Sequence, residues 1–204
     1  MCDMPRIGIM GGTFNPIHTG HLIIAQQTLV ELALDKVWFM PAGNPPHKDT
    51  PVIDGKLRRR MVELAIDGNS DFELFDYELK KTRPSYSAMT MTELDEAYPE
   101  NDFYFIMGAD SLMDFHKWYH PEVICAHTKL VCADRNNISD DRLEAEKKIL
   151  EADFGATIYL IDTPQIEISS SDIRDRLKDK PSSVRYMLPE GVYDFIIKNH
   201  LYSV

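Results

Sequence analysis

A chain of 204 residues, with 44% hydrophobic and 27% charged residues, has the makeup of one soluble globular domain with room for a substantial core. Acidic residues outnumber basic ones by 33 to 22, so a formal charge of −11 repels polyanions and argues against general binding of nucleic acid or anionic membranes. That charge leaves room for a small anion in a locally basic pocket.

From the N-terminus, residues 6–10 read as a short buried strand ended by Gly11-Gly12. Leu22, Ala25, Leu29 and Ala33 recur at helical spacing and predict a helix over about 20–32. KVWFM, 36–40, is a second strand, closed by the proline-rich PAGNPPHKDTP. A helix over 55–66 carries Arg58, Arg59 and Arg60 near its start, and this run reads as a solvated face. Residues 72–75 form a strand and 86–97 a helix; FYFIM, 103–107, is a strongly apolar strand that runs into Gly108-Ala109-Asp110. A strand over 130–133, a charged helix over 140–152 and a strand over 157–161 follow. Two helices finish the chain, one after the serines at 169–171 and one after Pro189.

Cys2, Cys125 and Cys132 are odd in number and lack C-x-x-C spacing, which suits reduced thiols. The N-terminus does not resemble a signal peptide, and no stretch approaches the roughly 20 apolar residues of a bilayer span. The expected compartment is the cytoplasm. Strands alternating with helices predict a parallel sheet covered on both faces, with ligands at the carboxyl ends of its strands. The loops 11–21, 41–50, 108–118 and 168–174 should therefore converge at that edge.

The first of these loops, GGTFNPIHTGH at 11–21, does not have the G-x-G-x-x-G spacing of a dinucleotide fingerprint. Its glycines permit close approach to the backbone, and a helix beginning around 18–20 aims free N–H groups and a positive dipole end into the same space. His18 and His21 project from about one face of the first turn and can donate to phosphate oxygens. Two surface histidines, or a zinc pair, are the alternatives for H-x-x-H alone. ISSSDIR, 168–174, reads by itself as a capping box with Ser169 at N-cap and Asp172 at N3. It also offers an anion cradle in which Arg174 supplies a fork-shaped cation.

Together, GGTFNPIHTGH and ISSSDIR resemble the (T/G)GxFxPxHxGH and ISSTxIR elements of the nucleotidyltransferase superfamily. Three further segments resemble those of bacterial nicotinate-mononucleotide adenylyltransferases: NPPHK at 44–48, RPSYSAMTM at 83–91 and GADSLMDFHKWY at 108–119. The resemblance spans essentially the whole chain. It implies an α/β fold: a Rossmann-like, doubly wound, mostly parallel sheet with helices on both faces and a small C-terminal helical subdomain. One nucleotidyltransferase domain would cover 1–204, with ISSSDIR and the last helices within about 165–204.

The implied reaction is transfer of the adenylyl group of ATP to nicotinate mononucleotide, with release of pyrophosphate. Because the attacking phosphate oxygen is already ionised, no protein nucleophile or base is needed. Catalysis then rests on alignment and charge neutralisation. The resemblance implies His18, His21, Lys48 and Arg174 as catalytic residues. Gly11, Gly12, Thr13, Phe14, Asn15, Gly108, Arg135, Ile168, Ser170 and Ser171 would bind ATP. Tyr86, Ser87, Asp110, Trp118 and His47 would bind the acceptor, with Trp118 stacking on the pyridine ring. Ordinary core packing is the alternative for Trp118, and helix capping for Asp110. Ser87 replaces a threonine of the family pattern, and Asn136 replaces a proline after Arg135. Mg2+ accompanies ATP through substrate oxygens and water, without a dedicated protein site. His116 and His120, at i and i+4, are not read as a metal pair. The sequence leaves oligomeric state open, a homo-oligomer included. Other adenylyltransferases, acting on nicotinamide mononucleotide or another phosphate acceptor, and a non-catalytic nucleotide sensor are the rival readings.

Overall fold

The computed structural model describes residues 4–45, 52–134, 140–164 and 166–202, the side chains of 134 and 140 excepted. Six strands form one sheet: β1 (Arg6–Gly12), β2 (Lys36–Pro41), β3 (Phe72–Leu74), β4 (Asp102–Gly108), β5 (Lys129–Asp134) and β6 (Ile158–Asp162). Their order is β3-β2-β1-β4-β5-β6, and every neighbouring pair is parallel. The chain winds outward in one direction to β3 and then returns past β1 to β4. The switch point therefore lies between β1 and β4, where the loops after the two strands diverge and open a crevice.

The strands are apolar on both sides because both sides are covered. In β4, Phe103, Phe105 and Met107 enter one core cluster while Tyr104 and Ile106 enter the other. In β5, Leu130 and Cys132 alternate with Val131 and Ala133 in the same way. The helices α1 (Thr19–Glu31), α2 (Gly55–Ile66), α7 (Ser170–Asp179) and α8 (Glu190–Lys198) contribute to one cluster. The helices α3 (Ser87–Ala97), α4 (Ala109–Met113), α5 (Pro121–His127) and α6 (Asp140–Phe154) contribute to the other. Ile173, Leu177, Val192 and Ile196 join α7 and α8 to the same apolar layer as Met10, Phe39 and Ile106 of the sheet.

The expected strands and long helices are present with ends shifted by a residue or two. Two short helices were not foreseen. α4 has five residues and α5 seven, too few turns to display a periodic apolar face. α4 begins directly at the end of β4, so residues 108–118 are half helical rather than a loop. The run Arg58-Arg59-Arg60 also departs from expectation. Arg59 and Arg60 are exposed, but Arg58 is only 2% exposed and lies under the loop that follows β1.

Candidate active site

At the carboxyl edge of β1 the backbone leaves the sheet through Gly11 and Gly12. A Cβ on Gly12 would come within 3.1 Å of the Phe14 ring, and one on Gly11 within 3.4 Å of the Phe105 ring. These glycines therefore let two aromatic rings close in under the loop. Phe14 takes a left-handed φ of 49°, and Asn15–Pro16 is cis. This irregular path reverses the chain so that α1 starts at the sheet edge with His18 as its N-cap. The His18 and His21 rings lie against each other, centroids 3.7 Å apart and 31° between planes. His21 Nδ1 accepts the backbone N–H of His18 at 3.2 Å. A neutral His21 that accepts at Nδ1 carries its proton on Nε2. His18 is 1% exposed.

His21 borders a cavity of about 170 Å³ together with Gly11, Gly108, Ser111, Phe105 and Trp118. A second cavity of about 150 Å³ is bounded by Gly12, Thr13, Glu78, Ser85, Ser87 and Trp118. Gly11, Phe105 and Trp118 border both, so the two spaces are chambers of one cleft across the ends of β1 and β4. Trp118 is half-buried, edge-on to Phe105 at 6.0 Å and tilted against Phe115 at 5.4 Å. Its indole is a wall that two ligand moieties can share. Tyr86 occupies the N-cap position of α3 and its ring lies tilted against Tyr119 at 4.5 Å, which ties the Trp118 segment to the helix that presents Ser87.

The second motif reaches the first through space. Ser169 caps α7 and accepts the N–H of Asp172, as its spacing predicts. Ser170 donates to the carbonyl of Pro16 at 2.8 Å, and Arg174 donates to the carbonyl of Asn15 at 2.8 Å and to Ser171 at 3.2 Å. Ile168 packs against the core cluster that includes Phe14 and Ile17. ISSSDIR thus fastens the turn that delivers the histidines, a role that the cradle reading by itself did not contain. Asp110 sits exposed in the first turn of α4, and Gly108 lies at the mouth of the first chamber. His47, Lys48 and Arg135 lie outside the described residues. His116 and His120 are exposed and face different partners, Glu146 at 3.7 Å and Glu122 at 2.8 Å. Among the described residues, no three His, Cys, Asp or Glu side chains group as a metal site.

Two residues at the site carry no motif. Arg58 donates to the carbonyls of Ile53, Thr13 and Gly43 at 3.1, 2.8 and 3.3 Å, knitting together the loops after β1 and β2. Desolvation lowers its pKa, against the neighbouring negative charge of Asp54. The correction to a solvated arginine face has a simple reason. Arg58 precedes Met61, Val62 and Ala65 at three, four and seven residues, so it lies on the buried stripe of α2. That register was visible in the sequence. Glu78 is 6% exposed, accepts from Thr90 at 2.7 Å and borders the second chamber. Burial raises its carboxyl pKa, opposed by hydrogen bonds from Thr90 and Ser85 and by the charge of Arg83. Ser85 Oγ in turn accepts the N–H groups of Gly43 and Asn44.

A cleft at the switch point, floored by glycines and flanked by a histidine helix and a serine-capped helix, is suited to a nucleotide phosphate chain. Residues 9–176 match the family described as cytidylyltransferase-like. The chain belongs to that family. Within it, the chain is 42% identical over 200 residues to a probable nicotinate-nucleotide adenylyltransferase of Clostridium tetani, covering 98% of this chain and 100% of the relative. A protein of the same name from Desulfitobacterium hafniense is 41% identical over 201 residues, covering 98% and 96%. The nicotinic acid mononucleotide adenylyltransferase of Plasmodium falciparum, solved in complex with APC, has the same fold. It superposes with a TM-score of 0.78 over 97% of each chain at 21% identity. The same enzyme complexed with NaAD gives 0.77 at 22% identity, again over 97% of each chain.

Proposed function

We propose that this chain is a nicotinate-nucleotide adenylyltransferase: it transfers the adenylyl group of ATP to nicotinate mononucleotide and releases pyrophosphate, a step of NAD biosynthesis. The reading is supported by full-length identity of about 40% to relatives of that name. It is supported above all by the two chambers that meet at Trp118. An enzyme that joins two nucleotides needs adjoining sites with the reacting phosphates between them.

ATP occupies the His21 side, its phosphates facing the His21 imidazole and the first turn of α1, with Gly11, Gly12, Thr13, Phe14, Asn15 and Gly108 shaping the floor. His18 supports the ring of His21. Arg174, Ser170 and Ser171 complete the phosphate half-site, with Ile168 beside them in the motif; Arg135 and Lys48 are assigned to it by the family resemblance alone. Nicotinate mononucleotide occupies the other side, its pyridine on Trp118 and its carboxylate at the first turn of α3 by Ser87. Tyr86 and Asp110 border that nucleotide, and His47 is assigned to it by the family resemblance alone. The phosphate oxygen of the acceptor attacks the α-phosphorus in line, the bond to the bridging oxygen breaks, and pyrophosphate leaves with the negative charge that the histidines and arginine stabilise.

A divalent cation, Mg2+, enters with ATP as part of the substrate. The donor set near the cleft suits an ion carried by phosphate oxygens and water. The whole of 1–204 works as one nucleotidyltransferase unit in the cytoplasm, with ATP and nicotinate mononucleotide as its partners. Pyrophosphate release measured with ATP, Mg2+ and either mononucleotide tests the reading: turnover should favour the nicotinate form. Equal or better turnover with the nicotinamide form would overturn the acceptor assignment.

A further inference from the structure

We infer that Tyr202, beyond the end of α8, is a positioning residue of the phosphate half-site. It holds Asn15, and through Asn15 the loop that presents His18 and His21 to ATP. The inference rests on the reading of residues 11–21 as the ATP phosphate loop.

The helix α8 is followed by its C-cap, Asn199, beyond which His200 N–H bonds to the Ile197 carbonyl at 3.2 Å and Leu201 N–H to the Ile196 carbonyl at 3.1 Å. This is the paired bonding of a Schellman turn, whose left-handed position is normally glycine. Here that position is His200, at φ 50°, and Tyr202 is again left-handed at φ 65°. Two such residues in three form an unfavourable path that persists only where other contacts hold it. The contacts are visible. Leu201 and Tyr202 pack on the core cluster that holds Phe14 and Ile17. The Tyr202 hydroxyl donates to Asn15 Oδ1 at 3.0 Å across 187 residues of sequence.

Asn15 is 3% exposed, and its carbonyl takes the Arg174 bond. Tyr202 therefore works beside Arg174 and Arg58, both of which bind the same loop. Burial pushes the phenol above its ordinary pKa, with Arg174 and Arg58 opposing, so the group remains a neutral donor near pH 7. Tyr202 does not border either chamber. Its effect on ATP must pass through Asn15.

Tyr202→Phe keeps the ring and removes the donor. The loss of one neutral hydrogen bond corresponds to about a threefold to tenfold effect. We expect the KM for ATP to rise by about that factor, with the KM for nicotinate mononucleotide unchanged and the fold intact by circular dichroism. Unchanged ATP constants would overturn the inference. Equal weakening of both substrates with a lower melting temperature would also overturn it, leaving the tail a general brace. Asn15→Ala tests the underlying reading separately: it should raise the ATP KM by itself. If it leaves the ATP KM untouched, the phosphate-loop reading fails and the role of Tyr202 fails with it. Adding Tyr202→Phe to Asn15→Ala should cause no further loss. An additive loss would place the action of Tyr202 elsewhere.

Discussion

Arg174 donates through one guanidinium nitrogen to the backbone carbonyl of Asn15 at 2.8 Å, although 159 residues lie between them. The second donates to Ser171 at 3.2 Å. One planar cation thus joins the turn before α1 to the first turn of α7, and it brings the two sequence motifs to a common face. Arg174→Lys keeps the charge and loses the fork. A hydrogen bond from a charged donor contributes about 1.5–3 kcal/mol, so kcat/KM for ATP should fall by about 10- to 100-fold. Steady-state kinetics with the acceptor saturating provides the check; full activity in the lysine variant would deny the fork its role.

Arg58 should matter to stability more than to chemistry. Replacing it by methionine keeps volume but strands the carbonyls of Thr13, Ile53 and Gly43 that it satisfies. Buried acceptors left without donors cost about 1–3 kcal/mol each. Urea unfolding should therefore show a loss of about 3 kcal/mol or more for Arg58→Met, against changes within about 0.5 kcal/mol for Arg60→Ala on the exposed face of the same helix. Equal stability of the two variants would contradict the burial.

His21→Ala removes the imidazole that borders the chamber proposed for ATP. Deleting one donor to charge developing in a transition state typically costs about 100- to 1000-fold in kcat. The acceptor KM should change little. His18→Ala should lower kcat as well and also lower the melting temperature, because that ring is buried. Single-turnover measurements separate chemistry from product release; a His21 variant with near-normal chemistry would assign the ring to binding alone.

Trp118 borders both chambers, whereas Trp38, the second tryptophan, is buried against Phe75 at 4.4 Å. Addition of nicotinate mononucleotide should quench fluorescence from Trp118 and leave Trp38 unchanged. The quench should survive in Trp38→Phe and vanish in Trp118→Phe. Trp118→Ala should raise the acceptor KM by about threefold to tenfold, the scale of an aromatic stack.

Glu78 sets a pH dependence of opposite sign to that of a salt-bridged carboxylate. Its folded-state pKa lies above the unfolded value of 4.5 because burial disfavours the ionised form. In the window between those two values the folded protein holds more protons than the unfolded chain. Stability should therefore fall as pH rises from about 4.5 through the folded pKa, and level off beyond it. Glu78→Gln removes this ionisation. Urea unfolding across that range should show the variant gaining on the native protein as pH rises; a constant difference would mean that Glu78 does not titrate there.

The strands were legible because buried parallel strands are short apolar runs, as in FYFIM of β4 and KVWFM of β2. The two motifs at the cleft were legible because each is local: glycines, histidines and a capping serine act within one turn of their own backbone. α4 and α5 were obscure because they are short, and their place is set by packing of Leu112 and Ile124 into the core. Glu78 was obscure because its neighbours, Thr90 and Ser85, owe their position to the start of α3.

By itself the sequence determined the alternation of strands and helices, the two motif-bearing helix starts and the family they resemble. These properties follow from periodicity, capping and spacing over a few residues. Only the tertiary structure decided that Arg58 is buried, that Trp118 is shared by two chambers, and that Arg174 and Tyr202 converge on Asn15. Those relations arise when distant segments exclude water from common ground, where each backbone carbonyl must find a donor and the donor can come from anywhere in the chain.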